Sequence, residues 1–169
     1  MDRTDAIAAA PRQSQSRLSP AVLWILVAAV LFRIVTAVME RSSGDVGLVT
    51  WQPRERVAGL AKSTGKPILY DFSAAWCGPC KLLDQDWANP EVAAHVNATF
   101  VPARIIDRMR EDGRNPEDIA ELQRRYEITG FPALVAAAPD GRLLGKLEGY
   151  AGRERLMRFL KNPAQPGSD

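Results

Sequence analysis

The residues best suited to chemistry are Cys77 and Cys80, the only cysteines of the chain, which lie three positions apart. A disulfide scaffold needs several cysteines, and a zinc site needs further ligands that this sequence does not supply. The single histidine, His95, does not suggest a metal site. The spacing therefore predicts redox chemistry, with no metal and no cofactor beyond a redox-active Cys77–Cys80 disulfide. A structural disulfide or a pair of inert buried thiols is the alternative.

The segments around the cysteines predict how the two sulfurs would work. Ile68 to Phe72 is rich in β-forming residues and suits a buried central strand, and a helix is expected to begin at the cysteine motif. The Cys77 sulfur then lies at a helix N-terminus, where unpaired amides and the helix dipole favour a thiolate. Cys77 is the predicted nucleophile. Cys80, one turn inward and less accessible, is the predicted resolving thiol, and Pro79 occupies the first helical turn.

The remaining pattern from residue 46 to residue 161 predicts an α/β fold with the order β-α-β-α-α-β-α-β-β-α and helices flanking a central mixed sheet. The predicted elements are an edge strand Gly47 to Trp51, a helix after Pro53, helices capped by Asn89 and Asn115, a strand Thr99 to Ile106, a charged loop Asp107 to Asn115, a hairpin of Pro132 to Ala138 with Arg142 to Glu148, and a closing helix Gly152 to Lys161.

The N-terminal region predicts a membrane anchor. Ala21 to Phe32 is an uninterrupted apolar run, and apolar residues resume after Arg33. The whole stretch is about 19 residues long, close to the roughly 20 residues that a helix needs to cross a bilayer. The predicted organisation is a cytoplasmic segment 1–19, a transmembrane anchor or uncleaved signal 20–39, a linker 40–45, the folded domain 46–161 and a flexible tail 162–169.

Three arginines precede the apolar run, at positions 3, 12 and 17, so the positive-inside rule predicts a cytoplasmic N-terminus and an exported domain. The expected location is the bacterial inner membrane, as a single-pass protein with its catalytic domain in the periplasm. A cleaved signal peptide with a site at Val35-Thr36-Ala37 is an alternative that would leave a soluble periplasmic domain. A buried helix of a soluble protein is the third possibility.

Composition narrows the possible partners. The chain has 169 residues, a formal net charge of +2 and 25% charged residues, without a block of basic residues. These values exclude the charge pattern of nucleic-acid-binding proteins and leave protein thiols and disulfides, together with the membrane, as expected partners. The protein is expected to be a monomer.

The stretch Trp76-Cys77-Gly78-Pro79-Cys80-Lys81 resembles the active-site motif of thioredoxins. Its surroundings resemble more closely the periplasmic C-terminal thioredoxin-like domain of DsbD-type thiol:disulfide interchange proteins. This second resemblance covers about residues 46–161 and is carried by Lys66 to Phe72, Asn89 to Val92, Gly130-Phe131-Pro132 and Asp140-Gly141.

The resemblance implies roles for further residues. Pro132 matches the family's cis-proline, and Phe131 before it is the residue with which a bound substrate strand would pair. Asp71 matches the buried acid that takes part in proton transfer for the inner cysteine, and Asp84 lies where the DsbD-type domain carries a second acid. Trp76 is expected to shield the site.

Each of these residues has a simpler alternative: an ordinary trans proline for Pro132, a solvated carboxylate for Asp71, a surface acid for Asp84 and packing alone for Trp76. Thioredoxins also carry a lysine that faces the buried acid. The best match for that lysine here is Ala103, with Arg104 beside it.

These features predict a protein-disulfide reductase that receives electrons from a membrane donor of DsbD type and passes them to exported proteins or to cytochrome c maturation. Gly78-Pro79 between the cysteines resembles thioredoxin and so implies a reducing site. An oxidase or isomerase that uses the same cysteines, and a non-catalytic binding module, are the alternatives.

Overall fold

The computed structural model describes residues 22, 24–30, 33 and 48–164. The chain divides into two compact units, Met1–Ser43 and Gly44–Asp169. In the first unit every described residue is helical, and its apolar side chains, such as Trp24 and Ile25, are exposed. No helix within the described ranges is long and apolar enough to span a bilayer. The predicted span 20–39 lies largely outside the described residues, as do residues 40–45 and the end of the tail, 165–169.

The described part of the second unit alternates helices and strands in ten elements. In chain order they are α1 (Arg54–Thr64), β1 (Ile68–Ala74), α2 (Gly78–Trp87), α3 (Pro90–Thr99), β2 (Val101–Asp107), α4 (Met109–Asp112), α5 (Glu117–Arg125), β3 (Ala133–Ala137), β4 (Leu143–Glu148) and α6 (Arg153–Lys161).

The four strands form one sheet in the order β2-β1-β3-β4. Strand β1 pairs in parallel with β2 and antiparallel with β3, and β3 and β4 form an antiparallel hairpin. All seven residues of β1 are buried, as expected for a central strand covered on both faces. The predicted mixed sheet, its central strand and its closing hairpin are therefore confirmed.

Side chains alternate between the two faces of the sheet along each strand, and this alternation separates two apolar cores. Leu69 of β1 and Leu134 of β3 face the layer of α2, α3 and α6, where Trp87 is fully buried. Phe72 of β1 and its alternate neighbours face the layer of α1 and α5, which contributes Val57. The sheet is thus sandwiched between helices, and the carboxyl end of β1 leads directly to the cysteine motif.

The sequence predicts an edge strand at residues 47–51. This prediction is wrong for residues 48–51, which form bends and irregular backbone. The Thr50 amide donates to Asn97 Oδ1 at 2.8 Å instead of joining a ladder, and only the Gln52 amide reaches β2, at the Pro102 carbonyl, 2.8 Å away. Pro102 has no N–H to donate in return, so β2 cannot pair fully with a further strand. Pro102 thereby makes β2 an edge.

Two local predictions between β2 and α5 also need correction. The predicted charged loop contains the short helix α4, and Asn115 does not cap α5, whose N-cap is Pro116 without a side-chain hydrogen bond. Asn115 instead accepts from the Arg108 amide at 2.7 Å and donates to Asp107 at 2.5 Å. The Asn115 side chain is hydrogen-bonded to the buried carboxylate of Asp107 at the end of β2, so it does not cap α5.

Two glycine-to-alanine substitutions are expected to change stability in opposite directions. A Cβ at Gly145 would lie 1.6 Å from the Pro163 carbonyl oxygen, so Gly145→Ala should lower the free energy of unfolding by about 1–3 kcal/mol through overpacking. Gly59, in α1, has no atom within 4 Å of such a Cβ, and Gly59→Ala should raise stability by about 0.5–1 kcal/mol. Urea unfolding measures both, and equal effects would contradict the packing at Gly145.

Candidate active site

Strand β1 ends at Ala74, and a turn closed by the Cys77 amide on the Ala74 carbonyl, 3.1 Å away, leads into α2. Cys77 is the N-cap of α2, and its sulfur accepts from the Cys80 amide at 3.2 Å. The two cysteines form a disulfide, while Gly78 and Pro79 are the exposed first residues of the helix. The predicted placement of the first sulfur at a helix N-terminus is confirmed. This position favours negative charge on that sulfur once the disulfide is reduced.

The expected difference in accessibility between the two cysteines is wrong for the disulfide form. Cys77 is 2% exposed and Cys80 is 3% exposed. Both sulfurs pack in a small apolar cluster with Ala74 and Phe131, which excludes water from the pair. Exposure therefore does not distinguish the two sulfurs. The helix N-terminus does, because only Cys77 occupies the capping position.

Asp71 is a buried acid in the middle of the central strand, with a side chain only 2% exposed. Its Oδ2 accepts from Trp87 Nε1 and from Arg104 Nε, both at 3.1 Å, while its Oδ1 is buried without a partner among the described residues. Burial raises the pKa of Asp71 from 3.8 to about 6, and the Arg104 charge and the two hydrogen bonds offset part of this effect. The acid can therefore gain or lose a proton near neutral pH.

The basic residue that faces the buried acid is Arg104. It does not lie at Ala103, the position that best matches the thioredoxin lysine in the sequence. In the parallel register Asp71 lies opposite Arg104, so both side chains point to the same face of the sheet. Ala103 points to the other face and packs in the α1 and α5 core. The sequence correspondence at Ala103 is therefore wrong by one residue, and one residue reverses the face in a strand.

Arg104 also connects the buried acid to the surface. Its Nη2 donates to Asp84 Oδ1 at 2.7 Å, and its guanidinium carbon lies 4.7 Å from the centroid of the Trp51 ring. The side-chain exposure rises from 2% at Asp71 to 13% at Arg104 and 30% at Asp84. The structure thus brings the predicted Asp84 next to the site through a shared guanidinium. Trp51, which the sequence did not indicate as a site residue, covers that guanidinium.

The outer rim of the site contains two aromatic residues, Trp76 and Phe131, and a second arginine, Arg110. Trp76 is 43% exposed, and its ring packs edge-on against Phe131 with centroids 5.9 Å apart. The Phe131–Pro132 bond is cis, as the resemblance implied. The guanidinium of Arg110, in α4, lies 3.6 Å from the centroid of the Trp76 ring. Sequence reasoning missed Arg110, because no local signal connects the loop after β2 with the residue before Cys77.

The sequence matches the family described as thioredoxin-like domain over residues 55–163, and the chain belongs to this family. Fold and site together define a thiol:disulfide oxidoreductase of the thioredoxin family, with a disulfide at the N-terminus of the helix after the central strand. The predicted fold class is confirmed for the second unit.

Named relatives agree with this class. A thiol:disulfide interchange protein DsbD 1 of Pseudomonas aeruginosa is 33% identical over 64% of this chain and 20% of its own length. A protein disulfide-isomerase of Hordeum vulgare is 31% identical over 60% of this chain and 18% of its own length. The chain thus spans about a fifth of these relatives. The solution structure of a thioredoxin from Thermus thermophilus superimposes with a TM-score of 0.56 and 26% identity over 67% of this chain and 85% of that one.

Two substitutions around Asp71 should shift its pKa in opposite directions. Arg104→Gln removes the charge that lowers the pKa, so the Asp71 pKa should rise above about 6. Asp84→Asn removes a charge that raises it, so the pKa should fall. Carboxyl ¹³C NMR titration of the oxidised protein measures both shifts. Arg108→Gln, which breaks an exposed pair with Asp112, is the control and should leave Asp71 unchanged. Shifts of the same sign would refute the shared-guanidinium arrangement.

Asp71 should also make stability depend on pH. Because its folded pKa of about 6 exceeds its ordinary value of 3.8, its contribution to stability is fully present below pH 3.8 and is lost as the pH rises through 6. Asp71→Asn cannot ionise, so its stability relative to wild type should grow by about 2–3 kcal/mol between pH 4 and pH 8. Urea unfolding across this range measures the difference.

The control for this pH series is Asp112→Asn. The hydrogen bond from Arg108 lowers the pKa of this exposed carboxyl, so wild type should gain stability relative to the control variant as the pH rises, opposite in sign to the Asp71 series. A flat difference for Asp71→Asn would mean that Asp71 titrates in its ordinary range.

Proposed function

We propose that the protein is a membrane-tethered, extracytoplasmic reductase of protein disulfides that works through a Cys77/Cys80 dithiol–disulfide cycle. The observation that carries the proposal is the position of the Cys77–Cys80 disulfide at the N-terminus of α2, beside a strand with the buried acid Asp71. Both sulfurs are shielded, and the first one lies where a helix favours a thiolate.

The cycle begins with the reduced protein. The Cys77 thiolate attacks one sulfur of a substrate disulfide, the substrate S–S bond breaks, and the other substrate sulfur leaves as a thiolate that takes up a proton. The Cys80 thiol then loses its proton and attacks the Cys77 sulfur of the mixed disulfide. The second substrate sulfur leaves as a thiolate that takes up a proton, and the Cys77–Cys80 disulfide forms. Two electrons pass from the protein to the substrate, and a donor dithiol must return them.

Asp71 is the proposed acceptor of the Cys80 proton. With a pKa of about 6, its carboxylate is the major form at neutral pH, yet it is basic enough to take a proton from a thiol that is about to become a nucleophile. Its unpartnered Oδ1 is free to accept that proton. Arg104 and Asp84 set its basicity through their opposing charges, and Phe131-Pro132 provides the strand edge for the substrate, as the family resemblance implies.

The membrane location rests on the first unit. Its described helical residues expose Trp24, Ile25 and Leu26, as an anchor helix surrounded by lipid would, and three arginines at positions 3, 12 and 17 favour a cytoplasmic N-terminus. The proposed place is the bacterial inner membrane with the catalytic domain in the periplasm, or a soluble periplasmic domain if the segment is a cleaved signal. The proposed electron donor is a membrane protein of DsbD type, and the proposed substrates are exported proteins or those of cytochrome c maturation.

The opposite direction of electron flow is the second candidate. The disulfide-isomerase name of the barley relative favours an isomerase or oxidase that uses the same cysteines. Against it stands Gly78-Pro79 between the cysteines, which matches the reducing thioredoxin motif. The reduction potential separates the two, because thioredoxin lies near −270 mV and the oxidant DsbA near −120 mV.

The reduction potential of the full chain, purified in mild detergent and equilibrated with dithiothreitol buffers, is therefore the first test. We expect a value within about 30 mV of −270 mV, because the cysteine motif matches that of thioredoxin. The fraction of disulfide is measured by thiol alkylation and mass spectrometry. A value near −120 mV would make the protein an oxidant and would end the reductase proposal.

Cysteine variants test the cycle itself. Cys77→Ser should abolish dithiothreitol-dependent reduction of insulin, because Cys80 lacks the helix N-terminal position. Cys80→Ser should accumulate a mixed disulfide with the substrate, because resolution is blocked. Residual activity of Cys77→Ser near the wild-type rate would favour a binding module over an enzyme.

A further inference from the structure

We propose that Arg110 is a specificity-determining residue of the active-site rim and that it selects protein substrates with an acidic side chain next to the target cysteine. The inference rests on the proposed disulfide exchange and adds a substrate class to it. Four observations carry it: the position of Arg110 on Trp76, the anchoring of α4, the lack of a salt bridge to Arg110 among the described residues and the contact of the rim with the disulfide.

The first observation is the stacking of Arg110 at the rim. Its guanidinium carbon lies 3.6 Å from the centroid of the exposed Trp76 ring. A guanidinium on an aromatic face keeps its N–H groups available for a carboxylate, and its planar fork suits bidentate binding. Trp76 therefore holds the cation in place without neutralising it.

The second observation is the anchoring of α4 by Asp107, the buried last residue of β2. The Asp107 carboxylate accepts from the Met109 amide at 3.1 Å, from Asn115 at 2.5 Å and from Gln123 at 2.9 Å. These hydrogen bonds and the Arg110 charge outweigh burial and lower the pKa of Asp107, which remains ionised and keeps its bonds. The segment that presents Arg110 is thus fixed before any substrate arrives.

The third observation concerns the acids near Arg110. Asp112 pairs with Arg108 at 2.6 Å, and the charge of Glu111 also acts on Arg108. Asp107 has its oxygens engaged by the hydrogen bonds described above. Within the described residues Arg110 forms no salt bridge, so its charge is available to a partner. Lys81, exposed in the first turn of α2, adds a second positive charge close to the cysteines.

The fourth observation connects this cation to the reacting sulfurs. Trp76 immediately precedes Cys77 and packs on Phe131, and Phe131 packs against the cysteine pair. A substrate that brings its own disulfide to Cys77 must pass over this rim. Its side chains beside the target cysteine then come within reach of Arg110, where a carboxylate is attracted and an ammonium group is repelled.

The test compares three peptides that differ in one residue. Each carries a single cysteine as a mixed disulfide with neutral 2-thiopyridine, followed by Glu, Gln or Lys. The full chain in detergent is reduced, freed of dithiothreitol and mixed with each peptide, and thiopyridone release gives the second-order rate constant. Ratios between peptides are compared within each variant, so that changes in the intrinsic reactivity of Cys77 cancel.

Wild type should react about two- to fivefold faster with the Glu peptide than with the Lys peptide at low salt, the range expected of an exposed ion pair, and the ratio should approach one in about 0.5 M NaCl. Arg110→Gln should abolish the preference, and Arg110→Glu should reverse it. Arg114→Gln removes the same charge from an exposed residue beyond the end of α4, and it should keep both the rate and the ratio.

The outcomes separate the two proposals. No preference in wild type, or a preference that survives Arg110→Gln, would overturn the role of Arg110 and leave disulfide exchange intact. Thiopyridone release that is as fast in Cys77→Ser as in wild type would overturn the exchange mechanism itself, and the specificity proposal with it.

Discussion

A carboxylate inside an apolar sheet is the constraint around which this domain is built. Asp71 lies in a strand that is buried on both faces, and an unpaired charge there would destabilise the fold. The Trp87 indole and the Arg104 guanidinium donate hydrogen bonds to one of its oxygens, and the other oxygen has no partner among the described residues. Trp87 must therefore be buried at the end of α2, and Arg104 must share a face with Asp71. The packing of the helix that begins at Cys77 thus depends on the same acid that is proposed to accept a proton.

The cationic groups of the site form two separate sets. Arg104 lies beneath Trp51 and contacts two carboxylates, so it acts on proton affinity inside the domain. Arg110 lies on Trp76 at the outer rim and forms no salt bridge within the described part of the chain. Each guanidinium is held by an indole ring, a contact that restricts its position without removing its charge. Arg104 can therefore act on proton affinity inside the domain, while Arg110 can contact substrates at the rim.

Local patterns in the sequence predicted most of the domain. The apolar runs predicted β1 and β3, Asn89-Pro90 predicted the start of α3, and the cysteine spacing predicted the centre of the site. Predictions failed where partners are distant in sequence: residues 48–51 bond to Asn97 and not to a strand, and Asn115 serves Asp107 instead of a helix end. An arginine within the apolar stretch of β2 was a signal for a buried acid, but only the register shows which acid it meets.

The presence of only two cysteines has a consequence for the folding of the protein itself. Chains with four or more cysteines can oxidise to several isomers, most of them non-native. Here Cys77 and Cys80 permit one intramolecular pairing, which is the pairing in the folded domain. Early oxidation of the unfolded chain therefore closes a loop of neighbouring residues that is also native. The chain can mature in an oxidising compartment without a proofreading step, even though its proposed task is to change the disulfides of others.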